Sequence, residues 1–161
     1  MAILLPGGAG FIGSHTAVEL LKEGKEIVII DDFSNSTPKS IEAIKKITGK
    51  DFKFYEMDYA DREKLEKVFE ENKIDAVMNF AGFKAVGESV QKPIEYYTNN
   101  ISGALVVLDV MRKYGCKKNK IQLRYIQNRQ STLCKRNKTG WFQFHSISYK
   151  IDGLLQEFPD S

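Results

Sequence analysis

The chain has 161 residues, of which 42% are hydrophobic, so it can bury the core of one domain. It has no run of about 18 apolar residues and no basic leader with a cleavage site, so we expect no membrane association and a cytoplasmic protein. Its two cysteines, Cys116 and Cys134, lack metal-ligand spacing and disulfide-rich density, which predicts free thiols and no metal site.

The charge is distributed unevenly along the chain. Residues 1–116 carry 15 Lys and Arg against 18 Asp and Glu, whereas residues 117–161 carry 9 against 3. A basic block can bind nucleic acid, but aromatic residues interleave with this one only at Tyr125 and Trp141. We therefore expect no nucleic-acid partner, although a nucleic-acid-binding tail remains a remote alternative.

The first predicted elements are a strand over residues 2–6, a glycine-rich turn and a helix that begins at Phe11. Glycines at Gly7, Gly10 and Gly13 suit a tight turn, close approach of a phosphate and close packing of helix on strand. The helix N-terminus adds free N–H groups and a positive dipole. Taken alone, the pattern fits an ordinary strand-to-helix turn equally well.

A second buried strand is predicted over residues 26–30, and it is followed by Asp31 and Asp32. Asp31 comes after Gly13 at the spacing where dinucleotide-binding units carry a carboxylate for the adenosine ribose hydroxyls. This completes a βαβ unit and favours a ribose-binding role for Asp31 over that of a solvated turn acid. Asp32 is predicted to be a turn residue only.

Strands and helices continue to alternate after this unit. The pattern predicts a helix that ends at Gly49, a strand over 51–55, a helix over 61–72, a strand over 74–80 and a helix from about Ile94 to Tyr114. Such alternation indicates an α/β fold, a Rossmann-like doubly wound parallel sheet.

Several side chains follow the predicted strands at the sheet edge where open α/β sheets bind ligands. Asp58 and Tyr59 are placed near an adenine, although Asp58 is equally suited to cap the next helix. Ala81 and Gly82 would let the backbone pass close to a ligand. Lys84 could reach a phosphate or the nicotinamide ribose, although such a lysine is more often solvent-exposed.

Four segments together resemble UDP-glucose 4-epimerase: residues 7–15, Asp31 with residues 34–36, residues 80–89 and residues 96–100. The resemblance covers residues 1 to about 118 and implies bound NAD, a UDP-sugar substrate and, as is frequent in the family, a homodimer. The NAD contacts it implies, with Gly13 of the same turn, are Gly7, Gly10, Phe11, Ile12, Asp31, Asn35, Asp58, Tyr59, Phe80, Ala81, Lys84 and Asn99. Pro6 departs from the family, which usually has Thr there, so a side-chain hydroxyl beside the first glycine is missing.

The resemblance implies interconversion of UDP-glucose and UDP-galactose in galactose metabolism, through an NAD-dependent 4-keto intermediate. In the family a serine and a Tyr-x-x-x-Lys motif on a helix hold and deprotonate the sugar hydroxyl. Neither motif is found after Lys118, because Tyr149 is followed directly by Lys150 and position i+4 is Gly153. Adjacent helical positions point about 100° apart. Tyr149 and Lys150 are therefore weak candidates, and the catalytic residues are unknown.

The likeness fades where the acidic residues vanish, which suggests an NAD-binding domain at 1–118 and a divergent basic tail at 119–161, interpreted as the product of a shifted reading frame. On this interpretation the chain is a catalytically impaired fragment without the family's C-terminal substrate domain. The alternative is a competent epimerase or dehydratase that uses Tyr149 or Tyr125 in an unusual site. Only residues 121–126 alternate like a strand, so we expect residues 119–148 to pack poorly on the sheet.

Overall fold

A computed structural model describes residues 2–83, 85–121 and 156–157, and the statements on structure below concern those residues. The strands are β1 (Ala2–Pro6), β2 (Glu26–Asp31), β3 (Lys53–Glu56), β4 (Ile74–Asn79), β5 (Lys118–Ile121) and β6 (Gln156–Glu157). The helices are α1 (Phe11–Lys22), α2 (Pro38–Thr48), α3 (Arg62–Glu71), α4 (Val86–Gln91), α5 (Pro93–Tyr97) and α6 (Gly103–Lys113). None of the helices in these ranges is long and apolar enough to cross a membrane.

Within the described ranges the strands form one sheet in the order β3-β2-β1-β4-β5-β6. Neighbours among β1 to β5 pair in parallel, and β6 pairs with β5 in the antiparallel direction. The chain moves outward from β1 to β3 and then crosses back to β4 on the other side of β1. This reversal is the topological switch point at which doubly wound sheets bind ligands, and the predicted fold class is confirmed.

Alternating side chains of β1 build the two halves of the core. Leu4 packs in a cluster with Val107 of α6 on one face, and Leu5 packs in a cluster with Ile44 of α2 on the other. All four side chains are at most 1% exposed. Because burial of each such side chain contributes about 1.5–3 kcal/mol, the central strands are held firmly and so is the edge where they end.

The helix predicted from Ile94 to Tyr114 is interrupted. A π-helical turn, Thr98–Ser102, lies between α5 and α6. Helix α4, whose six residues include Gly87 and Ser89, was not predicted because both residue types have low helix propensity. Strand β3 begins two residues later than expected.

Strand β5 begins at Lys118, before the strand predicted at 121–126, and pairs with Ala76–Asn79 of β4. Residues 119–121 therefore join the sheet through their backbone, because ladder hydrogen bonds join backbone groups whatever the side chains are. The expectation that residues 119–148 pack poorly stays a prediction. The boundary drawn after residue 118 falls inside this strand. The remaining positions singled out in the tail, Tyr125, Cys134, Trp141, Tyr149 and Lys150, lie outside the described residues.

Candidate functional site

A cavity of about 320 Å³ opens at the sheet edge where β1 to β4 end. Small-molecule sites commonly measure roughly 300–1,000 Å³. Of the 13 predicted cofactor contacts, 12 line this cavity, and the last, Lys84, lies outside the described residues. The lining set is Gly7, Gly10, Phe11, Ile12, Gly13, Asp31, Asn35, Asp58, Tyr59, Phe80, Ala81 and Asn99.

The glycine turn is shaped by two close contacts. Gly7 has a left-handed backbone, φ +71°, and a Cβ there would lie 2.4 Å from the backbone nitrogen of Ala81. A Cβ on Gly13 would lie 2.5 Å from the Gly7 carbonyl oxygen. A Cβ on Gly10, in contrast, would meet only that carbonyl oxygen, at 3.3 Å. The protein itself therefore requires glycine at the first and third positions, and the second leaves room for a ligand.

Helix α1 presents an open N-terminus to the cavity. Its N-cap, Gly10, offers no side-chain acceptor, and the first N–H groups of any α-helix lack intrahelical partners. Phe11 is 82% exposed, and its ring packs at a tilt against that of His15, with the ring centroids 4.7 Å apart. Backbone donors and the positive helix dipole thus meet at one point beside an apolar rim, which is the arrangement that favours an anion.

Asp31 is 8% exposed and links three segments around the cavity. One carboxylate oxygen, Oδ2, accepts a hydrogen bond from the Ala9 N–H at 3.0 Å. The other, Oδ1, accepts from the Phe33 N–H at 3.0 Å and from the Ser36 hydroxyl at 2.7 Å. A carboxylate has about four lone-pair sites, so capacity for a ligand hydroxyl remains.

Asp32 and Asp58 hold local turns. Asp32 Oδ1 accepts from the N–H and the hydroxyl of Ser34, at 2.9 and 2.7 Å, as its predicted turn role requires. Asp58 Oδ1 accepts from the Ala60 N–H at 2.8 Å. The alternative cap role of Asp58 is wrong, because the N-cap of α3 is Asp61.

Tyr59 forms the buried floor beside this turn and is 7% exposed. Its hydroxyl donates to the carbonyl oxygen of Asn99. Burial raises the pKa of the phenol, and the negative charges of Asp58 and Asp32 raise it further. Tyr59 therefore stays a neutral hydrogen-bond donor across the physiological range.

Pro6, the departure from the resembled family, ends β1 immediately before the glycine turn. The pairing between β1 and β4 extends only to Leu4, so the missing N–H of proline lies past the last paired residue on that side. Its carbonyl oxygen accepts from the N–H groups of Phe80 and Ala81, at 2.8 and 3.0 Å. These two hydrogen bonds hold the segment after β4 against the glycine turn.

The predicted cofactor contacts leave out seven residues that also line the cavity: Ile30, Asp32, Ser34, Ser36, Met57, Phe83 and Gly82, the last of which was expected only to let the backbone pass close to a ligand. All of them adjoin predicted contacts at the ends of β2, β3 and β4. Treating every residue within a few positions of a strand's carboxyl end as a candidate would have found them.

One Tyr-x-x-x-Lys spacing, Tyr114 to Lys118, was overlooked in the sequence. The structure separates the two residues, because α6 ends before Tyr114 and Lys118 begins β5. The Tyr114 hydroxyl donates to Glu70 at 2.8 Å, and this bond raises the pKa of the phenol. Strand β5 starts at the sheet edge opposite the cavity, so this pair is remote from the site.

A second depression, of about 840 Å³, lies at that opposite edge. Its lining includes Lys25, Lys50 and Lys73 but no residue of the glycine turn. Ligands of open α/β sheets bind at the carboxyl ends of the strands, so the smaller cavity is the better candidate site.

The chain also matches the model of a known protein family. The family model described as GDP-mannose 4,6 dehydratase matches residues 4–129, which is more than half of the chain. The chain belongs to the GDP-mannose 4,6-dehydratase family.

Within this dehydratase family the chain resembles proteins named UDP-glucose 4-epimerase. It is 62% identical over 115 residues to that of Haemophilus influenzae, which covers 71% of this chain and 34% of the relative. For the Bacillus subtilis protein the identity is 57% over 118 residues, with 73% and 35% covered. A crystal structure of the Bifidobacterium longum epimerase in complex with NAD+ and UDP superposes with a TM-score of 0.73 at 50% identity, covering 74% of this chain and 36% of that one.

The predicted resemblance to the N-terminal part of UDP-glucose 4-epimerases is thereby confirmed. The dehydratase-family chain spans about a third of the length of these relatives.

Proposed function

We propose that the cavity binds NAD and that this chain is the dinucleotide-binding part of a UDP-glucose 4-epimerase of galactose metabolism, acting in the cytoplasm. The observation that carries the proposal is the convergence of three features on one cavity. These are the glycine turn with room at Gly10, the open N-terminus of α1, and the carboxylate of Asp31. The first two suit the pyrophosphate of a dinucleotide, and the third suits its adenosine ribose.

The residues fit the two ends of such a cofactor. The pyrophosphate suits the space beside Gly10 and the first turn of α1, because a Cβ there would meet only the Gly7 carbonyl oxygen, at 3.3 Å. Asp31 suits the adenosine ribose, with Asn35, Asp58 and Tyr59 around the adenine. The opposite wall, with Phe80, Ala81 and Asn99, suits the nicotinamide half, and we extend this assignment to Lys84.

Bound NAD would supply the group that accepts a hydride from a carbon of the sugar. The described residues then bind and orient the dinucleotide and shield one side of it from water. Removal of a proton from the sugar would require a further group, because the only Tyr-x-x-x-Lys pair in the described part lies at the opposite sheet edge. We therefore propose that the chain, as given by its described residues, binds NAD but is catalytically impaired.

The test uses the purified full chain. Calorimetry should show saturable NAD binding near one site per chain, and an assay of UDP-glucose and UDP-galactose interconversion should show no turnover. Absence of NAD binding by a folded chain would contradict the proposal. Asp31→Asn provides the matched variant, because it removes the charge and keeps one oxygen acceptor.

The second candidate is a competent epimerase with an unusual active site, favoured by the shared name of the relatives. Its base would be Tyr149 or Tyr125. Clear interconversion by the full chain would establish this candidate and overturn the proposed impairment. Loss of that turnover in Tyr149→Phe, with Tyr125→Phe as the parallel variant, would then identify the base.

A further inference from the structure

One side chain holds both backbone groups of a residue in the cavity wall. The Asn100 side-chain oxygen accepts from the Phe83 N–H at 2.8 Å, and its side-chain nitrogen donates to the Phe83 carbonyl at 3.0 Å. Phe83 lines the cavity in the segment that follows β4. A loop residue gains a fixed position from such a pair of bonds, because neither backbone group can rotate away without losing a partner.

The same segment is held from a second direction. The Phe83 ring packs at 5.2 Å on that of Tyr96, which is 3% exposed and whose hydroxyl donates to Glu88 at 2.9 Å. A Cβ on the neighbouring Gly82 would lie 3.2 Å from the Asn100 side-chain oxygen. Asn100 therefore sits tightly against this segment, which at its other end contacts the glycine turn at Gly7.

The π-helical turn at 98–102 explains why Asn100 can do this. Within this turn, the Asn99 carbonyl oxygen accepts a hydrogen bond from the Tyr59 hydroxyl, in the segment after β3. The Asn100 side chain bonds to Phe83, in the segment after β4. The Asn99 side-chain nitrogen donates to the Asn100 oxygen at 3.0 Å and fixes the amide orientation. Single π-turns inside helices are frequent at functional sites.

We propose that Asn100 is a positioning residue for dinucleotide binding, which fixes the wall formed by Phe80–Phe83 against the glycine turn. This inference rests on the proposed NAD site and names a residue outside the set predicted to contact the cofactor. Without the amide, the wall would sample several positions, and NAD would have to order it on binding.

The first test compares Asn100→Ala with Asn72→Ala in the full chain. Asn72 is a buried asparagine, whereas Asn100 is half-buried, and the Asn72 side chain donates to Val68 and Tyr55, at the far end of the sheet. We expect Asn100→Ala to weaken NAD binding about tenfold and Asn72→Ala to lower the melting temperature with NAD affinity within about twofold of wild type. Asn100→Asp keeps the acceptor and loses the donor, so its affinity should fall between wild type and Asn100→Ala.

The second test needs no cofactor. Hydrogen exchange of the free chain should become faster at residues 80–83 in Asn100→Ala and stay unchanged there in Asn72→Ala. Unchanged exchange at 80–83 in Asn100→Ala would overturn the inference, whether or not NAD binds. Wild-type protein that fails to bind NAD would instead overturn the proposed function. Faster exchange at 80–83 in Asn100→Ala with unaltered NAD affinity would show that the wall does not position the cofactor.

Discussion

Gly103, the first residue of α6, lies directly against the phenol ring of Tyr59. A Cβ on Gly103 would lie 2.4 Å from the ring carbon Cζ and 2.5 Å from the hydroxyl oxygen. In an exposed helix, alanine would be favoured over glycine by about 1 kcal/mol. Here the close contact makes alanine unfavourable, because Tyr59 is buried and its hydroxyl is bonded to Asn99.

Gly103→Ala should therefore lower the melting temperature and weaken NAD binding, since Tyr59 must leave the cavity floor. Thermal denaturation and calorimetry measure the two effects. The control compares the single variant Tyr59→Ala with the double variant that carries Tyr59→Ala and, as the second change, Gly103→Ala. With the ring removed, the second change should no longer destabilise. A Gly103→Ala single variant as stable as wild type would disprove the close contact.

Gly7→Ala and Gly10→Ala should separate folding from binding. Gly7→Ala places a Cβ on a residue with a left-handed backbone, which costs about 1–2 kcal/mol. The same Cβ would collide with Ala81, so thermal stability should fall. Gly10 has φ −68° and no such conflict, so Gly10→Ala should melt close to wild type. Its added methyl group stands where we place the pyrophosphate, and NAD affinity should drop. Equal melting temperatures for the two variants would contradict this division of roles.

Asp31 should select NAD over NADP, because its carboxylate would repel a phosphate on the ribose 2′-oxygen. Hydrogen bonds to a charged group contribute about 1.5–3 kcal/mol, so Asp31→Ala should weaken NAD binding tenfold or more. Asp31→Asn should raise the affinity for NADP relative to NAD, a ratio that does not depend on the fraction of folded protein. Asp32→Ala is the control and should change this ratio little. Wild-type affinity for NADP equal to that for NAD would refute the assignment.

The sequence was informative wherever the site depends on short-range order. Gly7, Gly13 and Asp31 could be located because their roles follow from one turn and one strand end. Asn100 could not be assigned its role, because its partner Phe83 is 17 residues away and meets it only after α4, α5 and the π-turn form. The π-turn scarcely changes the apolar periodicity of the long helix that the sequence predicts. The pattern of residue types therefore did not reveal it.

Cys116 is 5% exposed, and burial raises the pKa of its thiol to about 11. Because the thiolate is the reactive species, native Cys134→Ser protein should react slowly with a disulfide reagent at pH 8, and denatured protein should react quickly at one thiol per chain. The folded pKa lies above the ordinary value of 9.0, so the stabilisation from keeping the thiol neutral is complete below pH 9 and is lost as the pH rises toward 11. Cys116→Ala should reduce that alkaline loss of stability, as measured by urea unfolding at several pH values. Native and denatured protein reacting equally fast at pH 8 would show that the thiol is not buried.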